Sequence, residues 1–594
     1  MTEANLVQMV MARAAGSTSP AARHKTGAGW VDVSWAEVLA RVTAVSNGLV
    51  AHGVKPGDRV AIFAGTSLTW CVVDLAISAA HAICVPIYAS NTPDEVRYIL
   101  ENSGAVLLFV DDDVPDARQQ GRLTRAREKL ASTGCTTVVR FTGEASAPDE
   151  LTLDALIAKG QGVTDFEQRA ATIAADAPCH FIYTSGTTGD PKGVMLSHGN
   201  WTFEAQASRS VGILAPDDAV MLFLPLAHSF AQVVKAAWLS MGFTMVFAES
   251  VDKLIANLAE TRPTILPAVP RVFEKVFGGV YGNATSAPGM KGRIARWAFA
   301  LFDEYVEARE RGQSYDTLGW ALAKKLVFSK VKATLDQRLG GKLRLFVSGG
   351  APLPRKIGWF FDLLGFIVCE GYGLTETTAG STINRVGAVK IGTVGQAFPG
   401  VELKIAADGE VLIRGPHIMK GYYRNEAASA EVLEADGWFH SGDIGELDPQ
   451  GFLRITDRKK DLIKTSGGKY CAPQNLENAL KTHAIVSSSM VHGDNRAYLT
   501  VLVAVNEEHA RALVGPSASA LSYAQLSERP EVKGAVQRAL DAVNSSQPPY
   551  ATLKKFALAS NDFSQETGEL TPTLKVKRKI CTAKYQAQID ALYA

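Results

Sequence analysis

The residues of this 594-residue chain best equipped for chemistry stand in one stretch, 183–200, reading YTSGTTGDPKGVMLSHGN. Residues 184–194 hold three glycines, four hydroxyl side chains and one lysine, directly after the apolar run Phe181, Ile182, Tyr183. That order predicts a strand followed by an anion-handling loop. Gly186, Gly189 and Gly193 let backbone N–H groups come close to an anion, Thr184, Ser185, Thr187 and Thr188 donate further hydrogen bonds, and Lys192 adds a compact positive charge. A polyphosphate is the ligand that suits such a loop. A Walker A loop needs Gly-x-x-x-x-Gly-Lys-Ser/Thr, whereas Lys192 follows a proline and precedes a glycine, so a Walker-type ATPase is excluded. Gly/Ser/Thr clusters are ordinarily flexible turns; eleven residues in this order argue otherwise.

YTSGTTGDPKG resembles the AMP-binding signature of the acyl-adenylate-forming superfamily, which includes acyl-CoA synthetases, peptide-synthetase adenylation domains and luciferases. The resemblance implies a loop of Thr184, Ser185, Gly186, Thr187, Thr188, Gly189 and Lys192 that closes over the phosphates of ATP, and activation of a carboxylic acid as its acyl-AMP. SGGAPL (348–353) and EGYGLTE (370–376) follow the strand-like runs 343–347 and 366–369, at strand ends where open α/β sheets bind ligands. Gly349, Gly350 and Gly371 can admit a flat base, Tyr372 can stack on it, and Glu376 can hold magnesium. By the resemblance these segments, including Ala351, Glu370, Gly373 and Thr375, are the adenine site, and Thr184 and Glu376 flank the metal.

DGWFHSGDIGELDPQGFLRITDRKK (436–460) is similar over its whole length to the signature of fatty acyl-CoA synthetases in that superfamily. Asp443 can accept from both ribose hydroxyls and Arg458 can donate to ribose or phosphate oxygens, the roles the resemblance implies. LIKTSGGKY supplies Lys464, Ser466, Gly467, Gly468 and Lys469, similar to the C-terminal segment that reaches the site for thioester formation. In LTPTLKVKRK, charge alone does not choose among Lys575, Lys577, Arg578 and Lys579; alignment with the family's terminal Gly-Lys-x-x-Arg element gives Lys575 the catalytic lysine and Arg578 the arginine, with Leu574 in place of the glycine. PLAHS (225–229) resembles the border of the acyl pocket and makes His228 a candidate gate, although a lone histidine in an apolar run is more often a hydrogen-bonded core residue. VPRVFEKV (269–276) is similar to the long-chain branch.

The elements that must position these residues follow from periodicity. Strand-like runs at 60–64, 83–88, 106–110 and 136–141 alternate with helical runs at 68–82, 94–101 and 118–131, and further strands follow at 220–224, 244–248, 265–268, 343–347 and 366–369. That alternation predicts an α/β fold with two helix-covered, mainly parallel sheets. A helical insertion spans about 278–340, where Ile294, Trp297, Ala298, Leu301, Phe302, Tyr305 and Val306 share one face. The next helix is basic, with Lys324, Lys325, Lys330, Lys332 and Arg338 against Asp336; a solvated face is favoured for it and a lipid-contacting face stays open. Short alternating runs at about 379–457 predict a small antiparallel β subdomain. Residues 1–457 then form the N-terminal domain and 458–594 a smaller, mobile α+β C-terminal domain, with a hinge at 457–461 centred on Lys460.

Composition adds limits. Lys plus Arg number 61 against 60 Asp plus Glu, so nothing points to nucleic acid. Seven scattered cysteines show no CxxC pair and no metal-ligand spacing, which suits a reducing cytoplasm. No cleaved leader is expected from MTEANLVQMVMARAAG, and 219–249, the most apolar region, is broken by His228, Gln232 and Lys235. The reading is an ATP- and magnesium-dependent ligase of a long-chain fatty acid and coenzyme A, cytoplasmic, with peripheral contact at the inner face of the membrane left open. Delivery of the adenylate to a carrier protein and a medium-chain preference are the alternatives.

Overall fold

The computed structural model describes residues 3–111, 122, 127, 130, 132–184, 190–467, 469–565, 567–571 and 575–594. The helical run expected at 118–131 lies largely outside the described residues. Strands Arg59–Phe63, Ile83–Ile87 and Ala105–Val110 are buried almost throughout, the pattern of parallel strands covered on both faces. They join Thr137–Arg140, Glu150–Thr152, Pro178–Thr184 and Lys192–Ser197 in a seven-stranded sheet. The last two strands form a hairpin in which Thr184 pairs with Lys192. The Gly/Ser/Thr stretch therefore lies between the two strands of a hairpin, and helix His198–Ser210 begins only after the return strand.

The second sheet has nine strands, in the order Gln396–Ala397, Thr382–Ile383, Ile367–Tyr372, Leu345–Ser348, Ile265–Ala268, Ala219–Leu222, Thr244–Phe247, Ala22–Thr26 and Gly29–Val33. Its middle is parallel and its outer pairs are antiparallel. The β subdomain expected at 379–457 is thus smaller: 382–383 and 396–397 extend this sheet, and the four-stranded antiparallel sheet is Glu402–Ile405, Glu410–Arg414, Phe439–Leu447 and Leu453–Arg458. Two-residue strands are too short to leave an alternation in the sequence. Helices Pro270–Thr285, Gly289–Glu310, Leu318–Ala323 and Ser329–Arg338 pack Phe273, Phe277, Phe299 and Phe302 against one face of the large sheet. Beyond Arg458 a hairpin, Ile463–Lys464 with Tyr470–Cys471, precedes the sheet Val486–His492, Leu499–Val505 and Leu553–Leu558, whose core is its own.

One buried ionic cluster ties the two large sheets together. Asp74, on helix Leu68–Ala79, accepts from Lys235 of helix Ser229–Met241 and lies 2.8 Å from Nε2 of His180 on strand Pro178–Thr184. All three are at most 1% exposed. Burial works against an ionised Asp74, yet Lys235 and then His180 hold its pKa well below the ordinary carboxylate range. The cluster sets the strand that leads into the phosphate loop against the helix that starts beside His228.

Glu204, on helix His198–Ser210, is fully buried with no ion-pair partner among the described residues, and the Gly380 backbone beside it only partly offsets that burial. Burial raises its pKa well above 4.5. A folded pKa above the unfolded one means stability that is complete below that ordinary value and is lost as pH rises. Glu204→Gln should therefore gain on the parent with rising pH, by about 1.4 kcal/mol per pH unit until the folded pKa is passed. Parallel melting curves from acid to mildly basic pH read this directly; a pH-independent difference would mean Glu204 is ionised in the fold.

Candidate active site

Strands Leu345–Ser348 and Ile367–Tyr372 run parallel with Ser348 opposite Glu370, so the turns 349–353 and 373–378 leave the sheet at the same edge. The second turn is tight: Thr378 and Ala379 have φ of 50° and 82°. A Cβ on Gly373 would stand 1.8 Å from the Ala379 carbonyl oxygen, so only glycine fits there. Opposite, His228 caps helix Ser229–Met241. Its Nδ1 accepts from the Phe230 N–H at 3.0 Å, which assigns the ring proton to Nε2. Burial first, then the nearby Lys575 charge, lowers its pKa to about 3, so the ring is neutral.

Between these turns, the phosphate-loop hairpin and the C-terminal segment lies a polar cleft of about 830 Å³, with Thr184, Lys192, Glu376, Asp443, Arg458 and Lys575 on its walls. Asp443 and Arg458 are register partners on strands Phe439–Leu447 and Leu453–Arg458. Arg458 Nε lies 3.3 Å from Asp443 Oδ1, and the Tyr372 hydroxyl donates to Asp443 Oδ2 at 2.7 Å. Burial raises the Asp443 pKa, with Arg458 and Tyr372 opposing. The Tyr422 hydroxyl donates to Glu376 Oε1 at 2.8 Å, and Lys192 Nζ lies 4.8 Å from the centre of the same ring. Lys575 enters from the C-terminal segment, held by its own N–H to Thr571 Oγ1 at 3.0 Å and by its carbonyl accepting from the Thr571 N–H at 2.8 Å. Burial, then Arg458, lowers its pKa to about 8.

Against this wall lies a narrow apolar cavity of about 110 Å³, lined by Val211, Ile213, Val234, Ala237, Ile383 and Phe398 among others. His228, Ser229, Gly350 and Gly373 border both the cavity and the cleft. A chain in the cavity would thus meet the polar site at His228. Cations around a cleft can cradle a polyphosphate, oxygen ligands can hold a hard metal ion, and an apolar cavity opening beside them can take the tail of an acid.

The expected residues divide in three. Thr184, Lys192, Gly350, Gly373, Thr375, Glu376, Asp443, Arg458, Lys460 and Lys575 line the cleft, while Gly349, Gly371 and Tyr372 line the cavity. Ser185, Gly186, Thr187, Thr188, Gly189 and Gly468 lie outside the described residues. The rest face elsewhere. Ala351 is exposed, and the buried Glu370 turns under the first loop, accepting from the Leu353 N–H at 3.4 Å, with burial raising its pKa to about 8. Lys464, Gly467 and Lys469 are exposed on the hairpin beyond the cleft; Lys464 covers the Tyr470 ring at 5.5 Å. Arg578 pairs with both Glu477 oxygens at 2.7 and 2.8 Å, which makes it a brace of the C-terminal unit. Tyr422 was beyond sequence reasoning: nothing in GYYRN marks a ring that serves Glu376 and Lys192 at once.

Known proteins agree with this architecture. The AMP-binding enzyme profile matches residues 12–423 and the AMP-binding enzyme C-terminal domain profile matches 460–594. The chain is 37% identical over 575 residues to the long-chain-fatty-acid–CoA ligase FadD15 of Mycobacterium bovis, covering 95% of this chain and 92% of that one. It is 30% identical to the peroxisomal long chain acyl-CoA synthetase 7 of Arabidopsis thaliana, covering 95% and 81%. Among solved structures, the A domain of carboxylic acid reductase from Segniliparus rugosus, in complex with AMP and a carboxylic acid, superposes with a TM-score of 0.77 at 23% identity over 99% of this chain and 94% of that one. With both profiles matched in order along nearly the whole chain, this protein belongs to the AMP-binding enzyme family.

Proposed function

We propose that the protein joins a long-chain fatty acid to coenzyme A in two half-reactions at this cleft; the 37% identity over 95% of the chain to a long-chain-fatty-acid–CoA ligase carries the chain-length reading, and the apolar cavity meeting the cleft at His228 marks where the acyl chain enters. In the first, the acid's carboxylate attacks the α-phosphorus of ATP and pyrophosphate leaves. Lys192 and Lys575 offset charge on the phosphates, Asp443 accepts from the ribose hydroxyls, and Arg458 donates to ribose or phosphate oxygens. In the second, the coenzyme A thiol attacks the acyl-adenylate carbonyl and AMP leaves, an acyl transfer that needs positioning and no protein nucleophile. Neutral His228 stands where the acyl chain passes from cavity to cleft and adds no charge there. Residues 1–457 and 458–594 act as two domains joined at 457–461.

Oxygen donors on the cleft wall fit a magnesium ion. Glu376 Oε2 takes part in no hydrogen bond among the described residues, while Oε1 is oriented by Tyr422; Thr184 lines the same cleft. Those two would hold the ion, which supplies neutralisation of phosphate charge. Glu376→Gln should then raise the magnesium concentration needed for half-maximal adenylation by about tenfold or more, since an amide keeps the shape and loses the charge. Unchanged activity at limiting magnesium would remove Glu376 from that role.

The reading as a whole is tested by thioester formation with ATP and coenzyme A on acids from acetate through octanoate and palmitate to arachidate, with benzoate and amino acids as controls. A maximum among the shortest acids would overturn the long-chain assignment. Adenylate formed without thioester would point to a carrier-protein acceptor.

A further inference from the structure

The helical layer on the large sheet ends in an outer face that no other part of the described chain covers. Leu318, Leu322 and Leu326 follow one another at four-residue spacing along helix Leu318–Ala323 and the π-helical turn Lys324–Phe328, and are 87, 51 and 45% exposed. Trp297, 39% exposed on helix Gly289–Glu310, joins them: its Cζ2 lies 3.8 Å from where a Cβ on Gly319 would stand. Water would be expected against a polar helix face, and three exposed leucines in register are costly there. The same run carries Lys324, Lys325 and Lys330, all exposed and none ion-paired with a carboxylate among the described residues. Asp336 is the only acid between 318 and 338.

We propose that this leucine ridge with its flanking lysines docks the protein on an anionic lipid bilayer. The ridge is convex, a row of side chains along a helix, and offers no groove to seat a protein segment. Lysine stems can lie along apolar surface while their ammonium groups reach outward, so leucines entering the acyl boundary would set Lys324, Lys325 and Lys330 at headgroup level, where anionic phosphates attract them. No helix among the described residues is long and apolar enough to cross a membrane, so the attachment is to one leaflet. The cavity lies across the sheet from this layer: the strand residues Val347 and Val220 belong to the opposite core. Docking thus holds the enzyme at the surface without inserting the cavity itself. It goes beyond the ligase reading, because vesicle binding is measured without any substrate.

The test is flotation of the full chain with vesicles of phosphatidylcholine alone and of phosphatidylcholine mixed with phosphatidylglycerol. The parent should float with the mixed vesicles and be partly released by salt. Leu318→Glu with Leu322→Glu should weaken binding at least tenfold, and Lys324→Glu with Lys325→Glu should abolish the preference for phosphatidylglycerol. Leu513→Glu with Tyr550→Glu, exposed apolar residues on the C-terminal unit with its separate core, should bind as the parent does. Unchanged turnover of a water-soluble acid verifies that each variant is folded. Equal flotation of the parent and the leucine variant, or no flotation of the parent, overturns the proposal. So does a parent dimer that the leucine variant dissolves, which would assign the ridge to a second copy.

Discussion

Lys575→Ala should lower adenylation of the acid by about 100- to 1,000-fold, the effect of removing one preorganised charge from a water-poor site, while synthetic acyl-AMP is still converted to its thioester. The asymmetry follows from where charge develops. Departure of pyrophosphate loads negative charge on oxygens in the cleft that Lys575 lines with Lys192 and Arg458. Attack of a thiol on the acyl-adenylate carbonyl loads none on pyrophosphate. Burial and then Arg458 lower the Lys575 pKa to about 8, with Asp443 and Glu376 opposing. Pyrophosphate exchange reads the first half-reaction and thiol consumption the second. Loss of both would mean that Lys575 supports the fold of the segment and not the chemistry.

Its neighbours serve as internal controls. Lys577 reaches Glu95 at 3.5 Å, with both side chains about a third exposed, and an ion pair of that kind contributes about 0–1 kcal/mol. Arg578 is turned away from the cleft onto Glu477. Three basic residues within four positions thus have three different partners: the cleft, the surface of the other domain, and the interior of their own. Local charge could not separate them, since which one points inward depends on backbone pairings: the Thr571 N–H donates to the Lys575 carbonyl, and the Lys577 N–H to that of Glu569.

Much of the fold was legible because its parallel strands are buried on both faces and leave unbroken apolar runs; the runs at 83–88, 106–110 and 265–268 fall within a residue of the strands found. The turns 349–353 and 373–378 were legible for the same reason, since each follows such a run. Legibility ended where the pattern is short or the partner distant. The strands 382–383 and 396–397 are two residues long, and nothing separates them from a loop until the large sheet is assembled. Glu370 looks like a ligand-facing acid beside Gly371, but alternation along a strand sends neighbouring side chains to opposite faces, and it is buried. Tyr372 and Asp443 are 71 residues apart, and Arg578 and Glu477 are 101 apart; such contacts belong to the tertiary structure alone.

The opposite separation of the two half-reactions should come from Lys460→Pro: adenylation retained within about tenfold and thioester formation down by about 100-fold or more, a difference of roughly 1.4 kcal/mol or greater between the two barriers. The reasoning starts from what the cleft contains. Lys575 is on its wall, while Lys464, Gly467 and Lys469, on the same C-terminal unit, are exposed outside it. If both sets serve one cleft, the unit has to turn between two poses. The only chain that joins it to the rest passes through 457–461, where the Lys459 N–H donates to Gly442 O at 2.8 Å and Lys459 Nζ lies 2.6 Å from Asp408 and 2.9 Å from Glu410. Lys459 is thus anchored to the N-terminal side. After it, the Asp461 and Leu462 N–H groups both donate to Arg458 O, at 3.0 and 3.1 Å, and close a turn around Lys460. The Lys460 N–H donates to no backbone carbonyl among the described residues, and neither Lys459 nor Lys460 has a positive φ. Proline at 460 therefore removes no bond of this pose and holds φ near −65°, while narrowing the conformations open to Lys459. The pose with Lys575 in the cleft survives, and the rotation that would bring the hairpin round is the one that a locked φ resists. Pyrophosphate exchange and thiol consumption, measured separately on the same preparation, decide the matter: an equal fall in both, or no fall in either, would place the pivot elsewhere in the chain.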